Sequence, residues 1–358
     1  MSTAPASPTD KASYDRLVEP FRGELHAHCY RMLGSLHDAD DALQDALLRA
    51  WRGLDRFEGR SSLRSWLYRI ATNTCLDLIG RRSKRELPIG YGPAADPHGG
   101  PGEPVVESVW MEPYPDERLG VEDGLAAPEA SYERRESVEL AFITALQLLP
   151  AKQRATLILR EVLGFSAAEV AQTLETTTAA VNSALQRARA TVDARLPKQS
   201  QQVTLRSLGD EGLREVVDGY VDAWERGDVD AVVAMLTEDA ALAMPPLATW
   251  FRGREAISIF LSGWPMSGAW RWRRVQVRAN GQPAFGCYCW DPGEDAYLPF
   301  GLEVLTLDGG QIADITAFVA RATPGPEREI YARWTEQPLD PRRVAVAFER
   351  FGLPERLE

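Results

Sequence analysis

The chain of 358 residues has no apolar run near the ~20 residues that a membrane-spanning helix needs. Its first ten residues are small and polar and lack the apolar core of a secretory signal. Four cysteines, Cys29, Cys75, Cys287 and Cys289, are too few for a disulfide framework in a chain this long. A reducing cytoplasm is therefore the expected setting. No phosphate-binding glycine loop, dinucleotide fingerprint or nucleophile motif occurs, and there is no internal repeat. Net positive charge is also missing: the formal charge is −12, which argues against a nucleic-acid partner if taken whole.

Divided along the chain, the charge reads differently. Residues 11–88 carry +3 and residues 138–198 carry +2, while 89–137 and 199–358 carry −8 each. The length itself predicts two or three domains. Residues 11–88 are nearly free of proline and show helical periodicity. Leu63, Trp66, Leu67 and Ile70 share one helix face, and Ala42, Leu43, Ala46, Leu47 and Ala50 form a second stripe. Residues 89–137 are rich in proline and glycine and read as a linker. Within it, Trp110, Pro113, Tyr114, Pro115 and Asp116 are too aromatic for an inert spacer and predict a docking segment.

Residues 138–198 are helical again, with breaks at Gly164 and Glu175–Thr177. Ser166 with Glu169 has capping-box spacing, which starts a short helix. Thr176 or Thr177 caps the next, in which Val181, Leu185, Ala188 and Val192 form a buried stripe. The opposite face carries Thr178, Asn182, Ser183, Gln186, Arg187 and Arg189. Asn, Gln and Arg suit base edges, and Ser, Thr and Arg suit phosphates, so this face is that of a recognition helix. An ordinary helical hairpin with a solvated polar face is the competing reading.

Two blocks of residues carry a family resemblance. Leu149–Arg154, Gly164–Ala171, Val181–Ser183 and Arg187–Arg189 resemble the promoter-reading region 4 of sigma-70-type transcription initiation factors. Asp38–Asp45, Leu48–Trp51, Phe57–Arg60 and Ser65–Asn73 resemble region 2 of the extracytoplasmic-function (ECF) group. The match departs at Ala184, where many relatives have a basic residue, so readout of the minus-thirty-five element would lean on Asn182, Gln186 and Arg187. The resemblance implies two all-α domains, 11–88 and 138–198, joined by the acidic linker 89–137. It implies that Asp38, Asp41, Gln44, Asp45, Arg49 and Trp51 dock on core RNA polymerase. Phe57, Arg60, Ser61, Arg64, Arg69, Asn73, Arg81 and Arg82 would meet minus-ten DNA. Trp66 lies on the apolar stripe and is read as core. In the family the linker threads the polymerase RNA channel, where the charge of Glu112, Asp116 and Glu117 could imitate RNA.

Residues 205–325 mix two helices (Leu213–Trp224, Val229–Leu236) with four strand-like runs (Trp270–Arg278, Phe285–Trp290, Leu302–Leu307, Ile312–Val319), the last two joined through Asp308-Gly309-Gly310. The pattern is α+β. Tyr220, Trp224, Gly227-Asp228, Met235-Leu236, Met244-Pro245-Pro246 and Phe251–Ile257 resemble the SnoaL/ketosteroid-isomerase-like cone. Residues 326–358 form a tail with a helical stretch around Arg343–Phe351. Such a cone can host acid–base chemistry, with Asp239, Asp314, Tyr220 and Tyr297 as the candidates, yet they form no constellation in sequence. Asp239 reads as a loop or cap residue and Asp314 as a strand-edge charge. His26 and His28 point apart on a helix, and Cys287 and Cys289 have no second pair, so no metal is expected.

The reading is a cytoplasmic sigma factor without cofactor or catalytic residues, partnered by core RNA polymerase and promoter DNA. Its activity would be modulated by the cone domain, which could hold an unidentified small ligand. The alternatives are a ligand-responsive one-component regulator, or an isomerase or hydrolase of the cone type with a DNA-binding appendage.

Overall fold

A computed structural model describes residues 11–57, 59, 61–82, 84–102, 105, 110–119, 135–320 and 341–358. The chain forms two compact units: residues 1–85 with 117–197, and residues 86–116 with 198–358. Both helical blocks therefore fold within one unit, while much of the expected linker belongs to the other.

In the first unit, α1 (Lys11–Val18), α2 (Arg22–Leu33), α3 (Leu36–Gly53) and α4 (Leu63–Ile79) form a bundle. Ser35 caps α3 by accepting the Asp38 N–H, and Ser62 caps α4 by accepting that of Ser65. Of the α3 stripe, Ala42, Ala46, Leu47 and Ala50 are buried as expected; Leu43 is half-buried, and Ala39 joins the buried face instead. That of α4 is rotated. Its buried residues are Leu67, Tyr68, Ala71, Thr72, Thr74 and Cys75, while Leu63, Trp66 and Ile70 are half-buried. The helix is covered from two sides: α2 and α3 pack on it, and the Tyr68 ring meets Phe165 at 5.3 Å. His26 and His28 diverge, toward Asp40 at 3.0 Å and Thr72 at 2.9 Å.

The second helical block contains α5 (Leu140–Gln147), α6 (Ala151–Leu157), a π-turn at Ile158–Val162, α7 (Ala167–Thr173) and α8 (Thr178–Asp193). The breaks fall where expected, with positive φ at Gly164 and Glu175. Buried Arg154 ties the blocks together. Its guanidinium donates to the carbonyls of Met32, Gln147 and Leu149, and desolvation lowers its pKa to about 10.

The second unit is the α+β cone. Helix α9 (Gln201–Arg226) is broken at Gly209 (φ 68°), and α10 (Val229–Ala234) and α11 (Arg254–Gly263) follow. The sheet order is β2-β1-β6-β5-β4-β3. Strands β3 (Trp272–Ala279), β4 (Gln282–Asp291), β5 (Ala296–Asp308) and β6 (Gln311–Val319) fall on the four expected runs. Two strands lack a sequence signal: β1 (Leu236–Ala243), parallel to β6, and the short β2 (Trp250–Arg252). The unit also begins earlier than position 205. Gln201 makes a two-way hydrogen bond with the Leu307 backbone, and Gln202 donates to the Gly281 carbonyl, so both are buried.

Strand β4 is buried along nearly its whole length because both faces are covered. Phe285, Cys287 and Cys289 face a core shared with Tyr220 and Trp224 of α9. On the other side lies the chain's tail, with α12 (Pro341–Glu349). There Phe348 meets Tyr288 at 5.2 Å, Tyr288 OH donates to the Pro354 carbonyl, and Leu353 fills the space above Gly286.

Candidate nucleic-acid interface

Helix α8 presents its two faces as expected. Val181, Leu185, Ala188 and Val192 are buried, and Thr178, Asn182, Ser183, Gln186, Arg187 and Arg189 are all exposed. The reciprocal Ser166–Glu169 capping box starts α7 and holds the Glu169 carboxyl below the usual carboxylate range. Thr177 caps α8 by accepting the Ala180 N–H. Together the caps fix a helix–turn–helix whose second helix offers a row of donors and acceptors to solvent. Arg189 also pairs with Glu161 at 2.7 Å, an exposed contact that competes weakly for its charge.

The residues expected to meet minus-ten DNA are not equally available. Arg81 is exposed, and Phe57, Ser61, Arg69 and Asn73 are half-buried. Arg60 lies outside the described residues. Arg64 is engaged: it bonds Glu24 at 3.1–3.2 Å and lies 4.9 Å from the Tyr68 ring centre and 5.2 Å from that of Phe165. Arg82 pairs with Asp38.

That pairing also removes Asp38 from the expected polymerase ridge. Its side chain is only 2% exposed, and Arg85 grips the carboxylate through Nε at 3.1 Å. Asp38 sits in the first turn of α3, where its backbone N–H serves the Ser35 cap, so its carboxylate points into the bundle. The outward residues of the ridge are Asp41, Gln44, Asp45 and Arg49, with Arg49 paired to Asp77 at 3.0 Å. Trp51 is 36% exposed and packs edge-on to Tyr14.

All five docking-segment residues, Trp110, Pro113, Tyr114, Pro115 and Asp116, are buried, and Tyr114, Pro115 and Asp116 bond or pair with the end of β3 and the turn after it. Tyr114 N–H donates to Asn280 Oδ1 and its carbonyl accepts from Asn280 N–H, both at 2.8 Å. Asp116 accepts from Gly281 N–H at 2.7 Å and from Arg278 Nε at 3.3 Å. The receptor is the β3–β4 turn, where Asn280 and Gly281 take positive φ. An Asn-Gly pair between strands is the sequence signal for this turn, and it was available without the structure. Asp116 is thus committed within the cone, not a free charge on an open strand.

Upstream, residues 92–102 and 105 form a strap. Ala95 N–H donates to the Trp250 carbonyl, Trp250 Nε1 to the Gly92 carbonyl, and Val105 N–H to the Pro246 carbonyl, all at 2.8–3.0 Å. The strap lies close. A Cβ at Gly102 would come 2.6 Å from Thr249 Oγ1, and one at Gly100 would come 2.9 Å from Trp264 Nε1. Between them, buried Pro101 lines a cavity of about 80 Å³ inside the cone.

The four acid–base candidates do not converge. Asp239 is an exposed residue of β1 facing Arg252, not a loop cap, because residues 236–243 join the sheet. Asp314 lies in β6, an interior strand, and not at an edge. Burial, then the nearby Asp239 charge, raises its pKa to about 6. Tyr220 is buried in the core, and Tyr297 bridges to Leu357.

Three regions match known families: residues 17–85 match Sigma-70 region 2, residues 139–192 match Sigma-70 region 4, and residues 217–315 match the SnoaL-like domain. The ECF RNA polymerase sigma factor SigG of Mycobacterium tuberculosis is 42% identical over 311 residues, 86% of this chain and 82% of the relative. The ECF RNA polymerase sigma factor SigW of Bacillus subtilis is 28% identical over 182 residues, 50% of this chain and 87% of the relative. The crystal structure of the M. tuberculosis ECF sigma factor SigJ shares the fold, with a TM-score of 0.51 at 21% identity, over 91% of this chain and 99% of that one. Two sigma regions in order, a cone domain behind them and the extent of the SigG match lead to one assignment: the chain belongs to the ECF RNA polymerase sigma factors, with a SnoaL-like domain after region 4.

Proposed function

We propose that this sigma factor holds core RNA polymerase through the outward ridge of α3, principally Asp41, Gln44, Asp45 and Arg49. It reads the minus-thirty-five element through Thr178, Asn182, Ser183, Gln186, Arg187 and Arg189. Phe57, Ser61, Arg69, Asn73 and Arg81 serve the minus-ten strand, joined by Arg64 and Arg82 when their ion pairs open. The observation that carries this reading is the two-faced α8, with a fully buried stripe opposite six exposed groups suited to base edges and phosphates. The protein acts in the cytoplasm, where its polymerase is.

The cone domain modulates this activity without turnover and takes an unidentified small ligand. One feature supports binding over catalysis: none of the acid–base candidates Asp239, Asp314, Tyr220 and Tyr297 lines the apolar cavity of the cone. The test is run-off transcription with core polymerase, comparing the full chain with one truncated after Gln199. Altered promoter-dependent activity is expected, and equal activity would remove the modulating role. The double variant Gln186→Ala/Arg187→Ala should weaken minus-thirty-five recognition by about 1–3 kcal/mol per base contact. No initiation by any form would overturn the whole reading.

A further inference from the structure

A cleft lies within the helical unit. The end of α4 and the residues after it form one side, and the segment from Gln147 to Arg154 forms the other. Its volume of about 400 Å³ falls in the range of about 300–1,000 Å³ typical of small-molecule sites. Two kinds of surface line it. Half-buried Leu78, Ile79 and Leu148 and exposed Pro150 make an apolar wall. Arg82, Lys84, Arg85 and Arg154 bring four positive charges, against the carboxylate of Asp38. Arg82 and Arg85 already share that carboxylate, so positive charge is in excess along the lining. Every acceptor that Arg154 meets is neutral: the carbonyls of Met32, Gln147 and Leu149 and the side-chain oxygen of Gln147. The residue is only 4% exposed, and its Nε is buried without an acceptor. A buried cation without a counter-charge and a buried donor without an acceptor both cost free energy, and an anion in the cleft supplies what each lacks. A phosphate has three strong acceptor oxygens and close to two charges to share among the three guanidinium groups, where a carboxylate has two oxygens and one charge. An inorganic ion would leave the apolar wall bare, whereas a ring attached to the phosphate covers it.

We propose that this cleft binds a phosphorylated small molecule of the nucleotide class, its phosphates held by Arg82, Lys84, Arg85 and Arg154 and its ring laid on Leu78, Ile79, Leu148 and Pro150. The ligand touches residues of both helical blocks, so its occupancy resists their separation. It also engages Arg82, which is then unavailable to the minus-ten strand; that consequence rests on the function proposed above, and the binding itself does not.

The test uses the full chain, without polymerase or promoter, and three probes: ADP, pyrophosphate and adenosine. By calorimetry, ADP should bind about tenfold or more tighter than either of the others, because pyrophosphate lacks the ring and adenosine lacks the charge-assisted contacts. Lys84→Glu, at an exposed position, reverses one lining charge and should weaken ADP binding about fivefold or more. Arg187→Ala, on the outward face of α8, should bind ADP as the native chain does, which separates this cleft from loose attraction of anions to the recognition helix. A measurement that needs no variant is hydrogen exchange: bound ADP should slow it at the Leu148, Leu149 and Arg154 amides, all three within the cleft wall. No ADP binding, binding unchanged by Lys84→Glu or lost in Arg187→Ala, or unchanged exchange at those amides would each overturn the proposal. Equal affinity for pyrophosphate and ADP would reduce the cleft to a bare phosphate site and overturn the ligand class. Slowed exchange with a single-stranded oligonucleotide and not with ADP would assign the cleft to DNA and overturn it as well. Failure of any of these leaves the proposed function standing, and normal ADP binding without promoter-specific transcription would instead sink that function.

Discussion

Asp116→Ala should loosen the docking segment from the cone while leaving the cone folded. In the native protein the Asp116 carboxylate accepts the Gly281 N–H at 2.7 Å, a buried bond, and pairs with Arg278 at 3.3 Å. Removing it leaves a buried N–H without an acceptor, which costs about 1–3 kcal/mol. The ion-pair part adds less than about 1 kcal/mol, because Arg278 is 36% exposed and still donates to the Gly281 carbonyl at 3.1 Å. Docking strength then falls by roughly 1–3 kcal/mol, or a five- to 150-fold rise in the open population. The Asn280 and Tyr114 amides, which bond each other's oxygens across the same contact, report that opening. Hydrogen exchange followed by mass spectrometry should show them accelerated by that factor. Amides on β5 and β6, whose ladder does not involve Asp116, should keep their native rates. Unchanged exchange at residues 114 and 280 would refute the view that Asp116 holds the segment. Acceleration throughout the sheet would refute the view that it does so locally.

Asp38→Ala strips the counter-charge from Arg85, whose side chain is 10% exposed, and should destabilise the helical unit by about 3–5 kcal/mol in urea unfolding. Asp45→Ala, at an exposed position of α3, should cost no more than about 0.5 kcal/mol; similar losses for the two would remove the structural role of Asp38. Asp314 has a pKa of about 6 in the fold against 3.8 as reference, so the native state binds the extra proton between those values. Its contribution to stability is therefore fully present below about pH 4 and lost as pH rises through 6. Asp314→Asn should raise the melting temperature at pH 7.5 and not at pH 4; the reverse order would contradict the assignment. Gly301→Ala places a Cβ 2.6 Å from the Phe318 carbonyl oxygen, whereas Gly286→Ala meets only the movable Leu353 side chain. The first should destabilise the sheet in thermal unfolding, and the second should release the tail to protease with little change in the sheet.

Much of this protein was legible because its signals are local. The capping box at Ser166, the breaks at Gly164 and Glu175, and the stripe of α8 depend on residues a few positions apart, and each is where spacing puts it. Strands β3 to β6 were legible for the same reason. What could not be read depends on distant partners. Strand β1 has no clean alternation, and it forms because β6 offers a parallel partner about 75 positions later. The burial of α4 beyond its expected stripe could not be read because a second helical block covers Tyr68, which no window of sequence contains. Asp38 looks like an acidic first-turn residue, and its burial is decided by Arg82 and Arg85, more than 40 positions away.

The linker shows the same division and bears on control. Its glycines and prolines have the composition of a spacer, and only Trp110–Asp116 hinted at more. A free segment of about 30 residues would have a root-mean-square span of about 30 Å, set by chain entropy alone. Residues 86–116 are instead folded onto the cone through Ala95, Val105, Tyr114 and Asp116, so the span from Glu86 to Asp116 is set by the cone's surface. These residues are also the covalent path between the block that ends at Arg85 and the one that resumes at Glu117. The two promoter-reading blocks carry only +3 and +2, too little for tight binding to DNA by charge alone. The two blocks are also tied by non-covalent contacts such as buried Arg154 to the Met32 carbonyl, so the tether and these contacts together set their relation. Under the modulating role proposed for the cone, its grip on residues 86–116 is a lever that needs no contact with DNA.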